Sequence, residues 1–125
     1  MTVIELILLF LVLGAGGLLL WFQLKGRVTD EQIREYLREG ALVLDVRTEG
    51  EYKQQHVEGT MNIPLDRVVE VIQSTVEDPE QVILCHCESG GRSAIAVARL
   101  RRSGFKNSFN LGSFKRAGAL LAPDQ

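Results

Sequence analysis

Hydrophobic and polar positions follow two different regimes along this chain. From Val3 to Phe22 the run VIELILLFLVLGAGGLLLWF is apolar at every position except Glu5. As a helix it would extend about 30 Å, the thickness of a bilayer core. Its apolar residues go all the way round instead of forming a stripe, which argues against a core helix of a soluble domain. The segment therefore predicts a transmembrane anchor over residues 1–24 that contacts lipid through residues 3–22, with residues 25–28 as a linker and residues 29–125 as a folded domain. Trp21 and Phe22 fall where an interfacial aromatic belt sits, and Lys25 and Arg27 follow while no Lys or Arg precedes. That asymmetry predicts a single-pass protein of the cytoplasmic (inner) membrane whose domain faces the cytosol. A cleaved signal peptide would need a basic start and a small-residue cleavage site, and neither is clear. Gly14, Gly16 and Gly17 would allow a second helix close approach, or leave the stretch flexible in lipid.

Beyond residue 28 the pattern alternates between strand-like and helix-like periods. Thr29 and Gln32 have the spacing of a capping box, opening a helix that reaches Glu39 and stops at Gly40. ALVLDV (41–46) and QVILC (81–85) are short apolar runs suited to buried parallel strands. Between them, residues 49–55 form a short polar helix, and residues 65–75 place Leu65, Val68, Val69 and Ile72 on one helical face. After Gly91, RSAIAVARLRRSG predicts a helix with Ala96, Val97 and Leu100 inward and Gly104 as its stop, and residues 108–111 a last strand. Strands alternating with helices predict an α/β fold, with right-handed crossovers and a central parallel sheet covered on both faces.

The chain has 125 residues, so about one hundred remain for the domain, enough for a core of its own. The net charge is −2 and basic residues form no run beyond Arg99, Arg101 and Arg102, which excludes nucleic acid as a natural partner. Its two cysteines, Cys85 and Cys87, cannot make a disulfide framework and fit a reducing compartment. Cys85-His86-Cys87 does not build a metal site either, because three ligands crowded on one strand end cannot surround an ion tetrahedrally. No cofactor is implied.

The chemistry concentrates in Cys87-Glu88-Ser89-Gly90-Gly91-Arg92-Ser93, between a strand end and a helix start. Ligands of open α/β sheets collect at the carboxyl ends of strands, and a helix N-terminus offers unpaired N–H groups. Two consecutive glycines let the backbone curl so that several N–H groups converge on one point, an anion nest for sulfur. The helix N-terminus and Arg92 are expected to lower the Cys87 pKa and favour the nucleophilic thiolate. Cys85, inside the strand, reads as a small buried hydrophobe, with a resolving thiol as the sharper alternative.

Cys87, Gly90, Arg92 and Ser93 match Cys-x-x-Gly-x-Arg-Ser/Thr, the active loop of the rhodanese (sulfurtransferase) family, and the chain resembles a single-domain member of that family with an N-terminal membrane anchor. LDVRTEGEYKQQHVEGTMNIPL is similar to a second signature of the same family, through Asp45, Arg47, Glu51, Tyr52, His56, Gly59, Asn62 and Pro64. The resemblance spans about Val28 to Gly112. It implies the rhodanese-like small α/β domain, and a Cys87 that takes sulfane sulfur from a small donor such as thiosulfate or from a protein persulfide, then passes it to a thiol or other nucleophilic acceptor. By the same resemblance residues 88 to 92 cradle the outer sulfur and Arg92 supports the loop, while Asp45 and Arg47 hold the architecture near it. His56, also on the family pattern, is expected to secure a turn by hydrogen bonding.

Two departures from the family pattern bear on the site. The final segment, LGSFKRAGALLAP, carries Phe114 where the family often has a Trp, which changes a pocket wall; Thr60 and Met61 also differ. Glu88 puts an acidic side chain in the loop, which opposes the nest's potential and is expected to disfavour dianionic donors. Two rival functions stay open. His86-Cys87 with Arg92-Ser93 looks like a cysteine phosphatase or arsenate reductase loop, but only four residues separate Cys87 from Arg92 where that loop has five, a cradle suited to one sulfur atom. A membrane-tethered sulfur-carrier or redox-sensing module without turnover is the other.

Overall fold

The computed structural model describes residues 1–25 and 28–123. Helix α1 (Val3–Lys25) contains a 19-residue stretch, Val3–Trp21, of mean hydropathy 2.6, none of it buried against the rest of the chain. It has the length and composition of a membrane anchor or a signal sequence. Its charged residue is accommodated at the end: the Thr2 N–H donates to a Glu5 carboxylate oxygen (2.7 Å) and the Glu5 N–H to the Thr2 hydroxyl (3.2 Å), which caps the first turn. The helix continues through Lys25, so the expected linker starts later than the sequence implied, and its Gly26 and Arg27 lie outside the described residues, as do Asp124 and Gln125.

Helix α2 (Asp30–Arg38) begins at the expected capping box, with the Gln32 N–H donating to the Thr29 hydroxyl and the Gln32 side chain accepting from the Thr29 N–H. Strand β1 (Leu42–Asp45) follows. A second capping box, Thr48 with Glu51, opens α3 (Glu49–Gln54). Strand β2 is only Met61–Asn62, after which a 3-10 turn (Leu65–Arg67) leads into α4 (Val68–Thr75). The expected continuous helix over 65–75 is thus split, because Pro64 has no N–H to donate and the chain enters in a tight turn. Strand β3 (Ile83–His86), α5 (Gly91–Arg102), β4 (Ser108–Gly112) and α6 (Phe114–Leu121) complete the domain.

The four strands form one parallel sheet in the order β2-β1-β3-β4. Alternation along the strands sorts side chains to two cores, one on each face. Leu44, Ile83, Cys85 and Cys87 join Ile72, Ala96, Val97 and Leu100 under α4 and α5; Val43, Leu84 and Leu111 join Ile33, Ala117 and Leu120 under α2 and α6. The α/β architecture expected from the sequence, a central parallel sheet covered on both faces, is borne out. Two elements escaped it. Strand β2 is too short to show a period, and α6 begins at a serine cap, Ser113, whose hydroxyl accepts from the Arg116 N–H, a signal hidden between two glycines.

Candidate active site

The C-terminal end of β3 carries Cys87 straight into the loop that opens α5. The Cys87 N–H still donates to the Gly112 carbonyl (3.1 Å), so the residue is anchored to β4 while its side chain enters the loop. The Gly90 N–H reaches its sulfur at 3.0 Å and the Ser93 N–H at 3.5 Å, with the Ser93 hydroxyl also at 3.5 Å and the Ser89 N–H directed at it as well. The N–H groups of Gly91 and Arg92 make no hydrogen bond with the described residues, so they remain donors for a ligand at the helix N-terminus. Cys87 is 1% exposed. Burial is the largest single influence on its thiol and pushes the pKa up, but the Ser93 hydroxyl and the N–H groups of Ser93, Gly90 and Ser89 together outweigh it, leaving the pKa below the ordinary thiol value.

The loop differs from the sequence reading in two respects. Only Gly90 curls the backbone: its φ is +99°, whereas Gly91 is an ordinary first residue of α5 with open space at its Cβ position. Side-chain-bearing residues resist the left-handed region, so glycine is required at position 90 alone. Arg92, expected to act on the sulfur, is instead clamped to Glu51 by two hydrogen bonds of 2.6 and 3.0 Å. That clamp, with further bonds from Thr48, holds the Glu51 carboxyl at about 2. The largest influences that lower the Cys87 pKa are hydrogen-bond donors, while Arg92, though clamped to Glu51, still interacts electrostatically with the Cys87 thiolate.

Asp45 and Arg47 form a buried pair behind the loop. The Arg47 guanidinium donates to both Asp45 oxygens (3.0, 3.0 and 2.8 Å) and to the Gln55 carbonyl (2.6 Å), lies 4.6 Å over the Phe114 ring, and reaches Glu88 at 3.5 Å. Phe114 thus supplies the aromatic wall against Arg47. His86, on β3, is fully buried; its Nε2 lies 3.7 Å from Asp45 and has no hydrogen-bond partner among the described residues. Burial pushes its pKa down, so the ring is neutral at pH 7. His56 sits apart from the sulfur, stacked on Tyr52 (4.0 Å between centroids) with Nδ1 2.9 Å from the Tyr52 carbonyl, and Tyr52 in turn donates to the Thr60 carbonyl (2.7 Å). Sequence reasoning passed over Asn110 of β4, which bonds the Ser93 hydroxyl and Gly90; its one visible signal is an amide in the middle of an otherwise apolar strand end.

An all-parallel four-stranded sheet with a cysteine-led loop between its third strand and the next helix places the molecule among the open α/β domains that work at their strand C-termini. The chain belongs to the rhodanese-like domain family, whose model matches residues 29–116. Among its relatives, thiosulfate sulfurtransferase PspE of Escherichia coli (strain K12) is 36% identical over 72 residues, covering 58% of this chain and 69% of PspE. Thiosulfate sulfurtransferase GlpE of Pseudomonas paraeruginosa is 31% identical over 90 residues, covering 71% of this chain and 80% of GlpE. Among solved structures, a rhodanese with anions from Escherichia coli superposes with a TM-score of 0.58 at 34% identity, covering 62% of this chain and 91% of that one. The relatives define a sulfurtransferase family.

Proposed function

We propose that the protein is a membrane-anchored sulfurtransferase in which Cys87 accepts sulfane sulfur as a persulfide and passes it to a thiol. The observation that carries this reading is the convergence of N–H donors on one sulfur, with two further donors, Gly91 and Arg92, free beside it. The step balances. Cys87 thiolate attacks the terminal sulfur of a donor R–S–S⁻, the Cys87–S–S⁻ bond forms, the donor's S–S bond breaks, and R–S⁻ leaves. Glu88 to Ser93 form the sulfur cradle, and Asp45, Arg47 and His56 support it. The apolar stretch 3–22 anchors the chain, with Lys25 and Arg27 holding the domain on the cytoplasmic side.

A protein persulfide is the preferred donor over thiosulfate. Arg47 is matched by Asp45 and Glu88, and Arg92 by Glu51, while the Glu88 side chain itself is 64% exposed at the loop. A dianion approaching Cys87 meets no uncompensated cation from these two arginines and one exposed carboxylate. Intact-protein mass spectrometry of the full chain in detergent, after exposure to a persulfide donor, should show one added sulfur that maps to Cys87 and is absent from Cys87→Ser. Glu88→Lys should raise thiosulfate turnover several-fold. An unmodified Cys87 with every sulfane donor rejects the transfer reading, and thiosulfate turnover that drops in Glu88→Lys rejects the donor preference.

A further inference from the structure

Behind the sulfur, one hydroxyl proton faces three acceptors. Ser93 Oγ lies 2.7 Å from Asn110 Oδ1, 3.1 Å from the Gly90 carbonyl and 3.5 Å from the Cys87 sulfur, and a serine hydroxyl has a single proton to donate. The Asn110 amide orientation is fixed by its own partners: Nδ2 donates to the Gly90 carbonyl (3.1 Å) and Oδ1 accepts from the Gly112 N–H (2.9 Å), and turning the amide over would set like against like at both. Each acceptor other than the sulfur is already served, the Gly90 carbonyl by Asn110 and by the Ala94 N–H, and Asn110 Oδ1 by Gly112. The Ser93 proton can therefore leave either one without orphaning a buried polar group.

We propose that Asn110 is a positioning residue that parks the Ser93 hydroxyl proton while the inner sulfur of Cys87 is neutral and releases it to that sulfur when it becomes anionic. This rests on the sulfur-transfer reading of Cys87. In the thiol state the Cys87 S–H donates to Ser93 Oγ and Ser93 donates to Asn110. On ionisation the thiol proton leaves to solvent, and the Ser93 hydroxyl swings 3.5 Å-ward onto the thiolate. Attack on a donor moves the negative charge to the outer sulfur among the loop N–H groups, and the Ser93 proton returns to Asn110. When an acceptor thiolate takes the outer sulfur, Cys87 departs as a thiolate and Ser93 serves it again. Asn110 thus competes with the thiolate for one proton, and without Asn110 the Gly90 carbonyl, 3.1 Å away, remains to accept that proton in the thiol state.

The test is the pH profile of Cys87 alkylation by iodoacetamide in the full chain in detergent, with the modified residue located by mass spectrometry. No sulfur donor is involved, so the outcome is independent of whether transfer occurs. Asn110→Leu removes the nearer competing acceptor, leaving the longer contact to the Gly90 carbonyl, and should lower the alkylation midpoint, by up to about tenfold in acid dissociation constant, the upper worth of one such hydrogen bond. Asn110→Asp binds the proton more tightly and should raise it. In a Ser93→Ala background the Leu effect should vanish and the Asp effect should shrink to its charge alone. Charged and titratable neighbours, Glu88 in the loop, the Asp45–Arg47 pair, His86 on β3, Glu51–Arg92 and Arg116 on α6, are common to all variants and cancel in the comparison. An Asn110→Leu shift that is absent with Ser93 present, or equal with and without it, overturns the proposal. Should Asn110→Leu fail to fold, an Asp effect of equal size in both backgrounds does the same.

Discussion

Cys85 and Cys87 lie two residues apart at the end of one strand, face the same core and are equally shielded, at 0% and 1% exposure. Burial pushes the Cys85 thiol up to about 12, while Cys87 ends below the ordinary thiol value although burial opposes ionisation there too. What separates them is where the strand ends. Cys85 lies inside the sheet, in register with Leu44 on one side and Asn110 on the other, and burial alone acts on its thiol, with no donor to its sulfur among the described residues. Cys87 stands one step beyond the ladder, where Gly90 turns the chain and α5 begins, so donors that a continuing strand would have used are available to sulfur. The two thiols are also poorly placed to bond to each other. Same-face strand neighbours sit roughly 6–7 Å apart, whereas a disulfide needs Cβ atoms within about 4.5 Å.

The strongest way to break that contrast short of removing the nucleophile is to spoil the turn. Gly90→Ala places a side chain at φ +99°, where its Cβ meets the Gly112 backbone at 3.6 Å, an ordinary contact, so the cost is conformational. Left-handed strain of about 1–2 kcal/mol should lower stability, and relaxation of the turn should draw the Gly90 N–H off the sulfur. The expected result is a loss of stability in denaturant melts together with Cys87 alkylation shifted to higher pH. An unchanged alkylation profile would show that the Gly90 donor is dispensable.

A smaller perturbation leaves the backbone alone. Ser93→Ala deletes the side-chain donor, the largest of the favourable influences on Cys87, while the Ser93 N–H at 3.5 Å remains. The Cys87 pKa should rise, with up to about tenfold less thiolate at a pH below it, which is the range of a single hydrogen bond to a charged group. The linkage follows from the sign. A thiol whose folded pKa lies below its unfolded value stabilises the fold at high pH and loses that contribution as pH falls through the folded pKa, so the substitution should cost more stability at pH 9 than at pH 5. Equal losses at both would remove the thiolate from the account.

Much of this was legible in the residues. The two apolar runs, the Thr29 box and the inward face of α5 follow from periodicity alone, and the cysteine loop announced itself by a glycine and a helix start after a strand. The misreadings at the sulfur itself concern partners far away in the chain. The clamp on Arg92 went unforeseen because Glu51, 41 positions earlier, cannot be placed beside it from spacing. Asn110 drew no attention because its value lies in meeting Ser93 across the β3–α5 crossover, and β2 went unread because two residues carry no period. Local order is written in local pattern, whereas the electrostatics of the sulfur depend on which distant side chains the sheet brings together.

The mildest test keeps Cys87 intact and removes its counterpart. Cys85→Ala should leave Cys87 alkylation within about twofold, since the donors to the Cys87 sulfur come from Ser89, Gly90 and Ser93 and not from Cys85, and should cost on the order of 1 kcal/mol at neutral pH for the lost sulfur packing. The informative part comes at alkaline pH. A thiol raised to about 12 in the fold stays protonated there after its unfolded counterpart has ionised near 9, so the unfolded state is favoured progressively above pH 9, by about 1.4 kcal/mol per pH unit for one proton. Cys85→Ala carries no such proton. Its stability deficit relative to the parent, followed by urea denaturation from pH 7 to pH 11, should hold steady up to about pH 9 and then narrow. A deficit that stays constant to pH 11 would mean that Cys85 ionises as readily folded as unfolded, and the contrast between the two cysteines would reduce to reactivity without a difference in acidity.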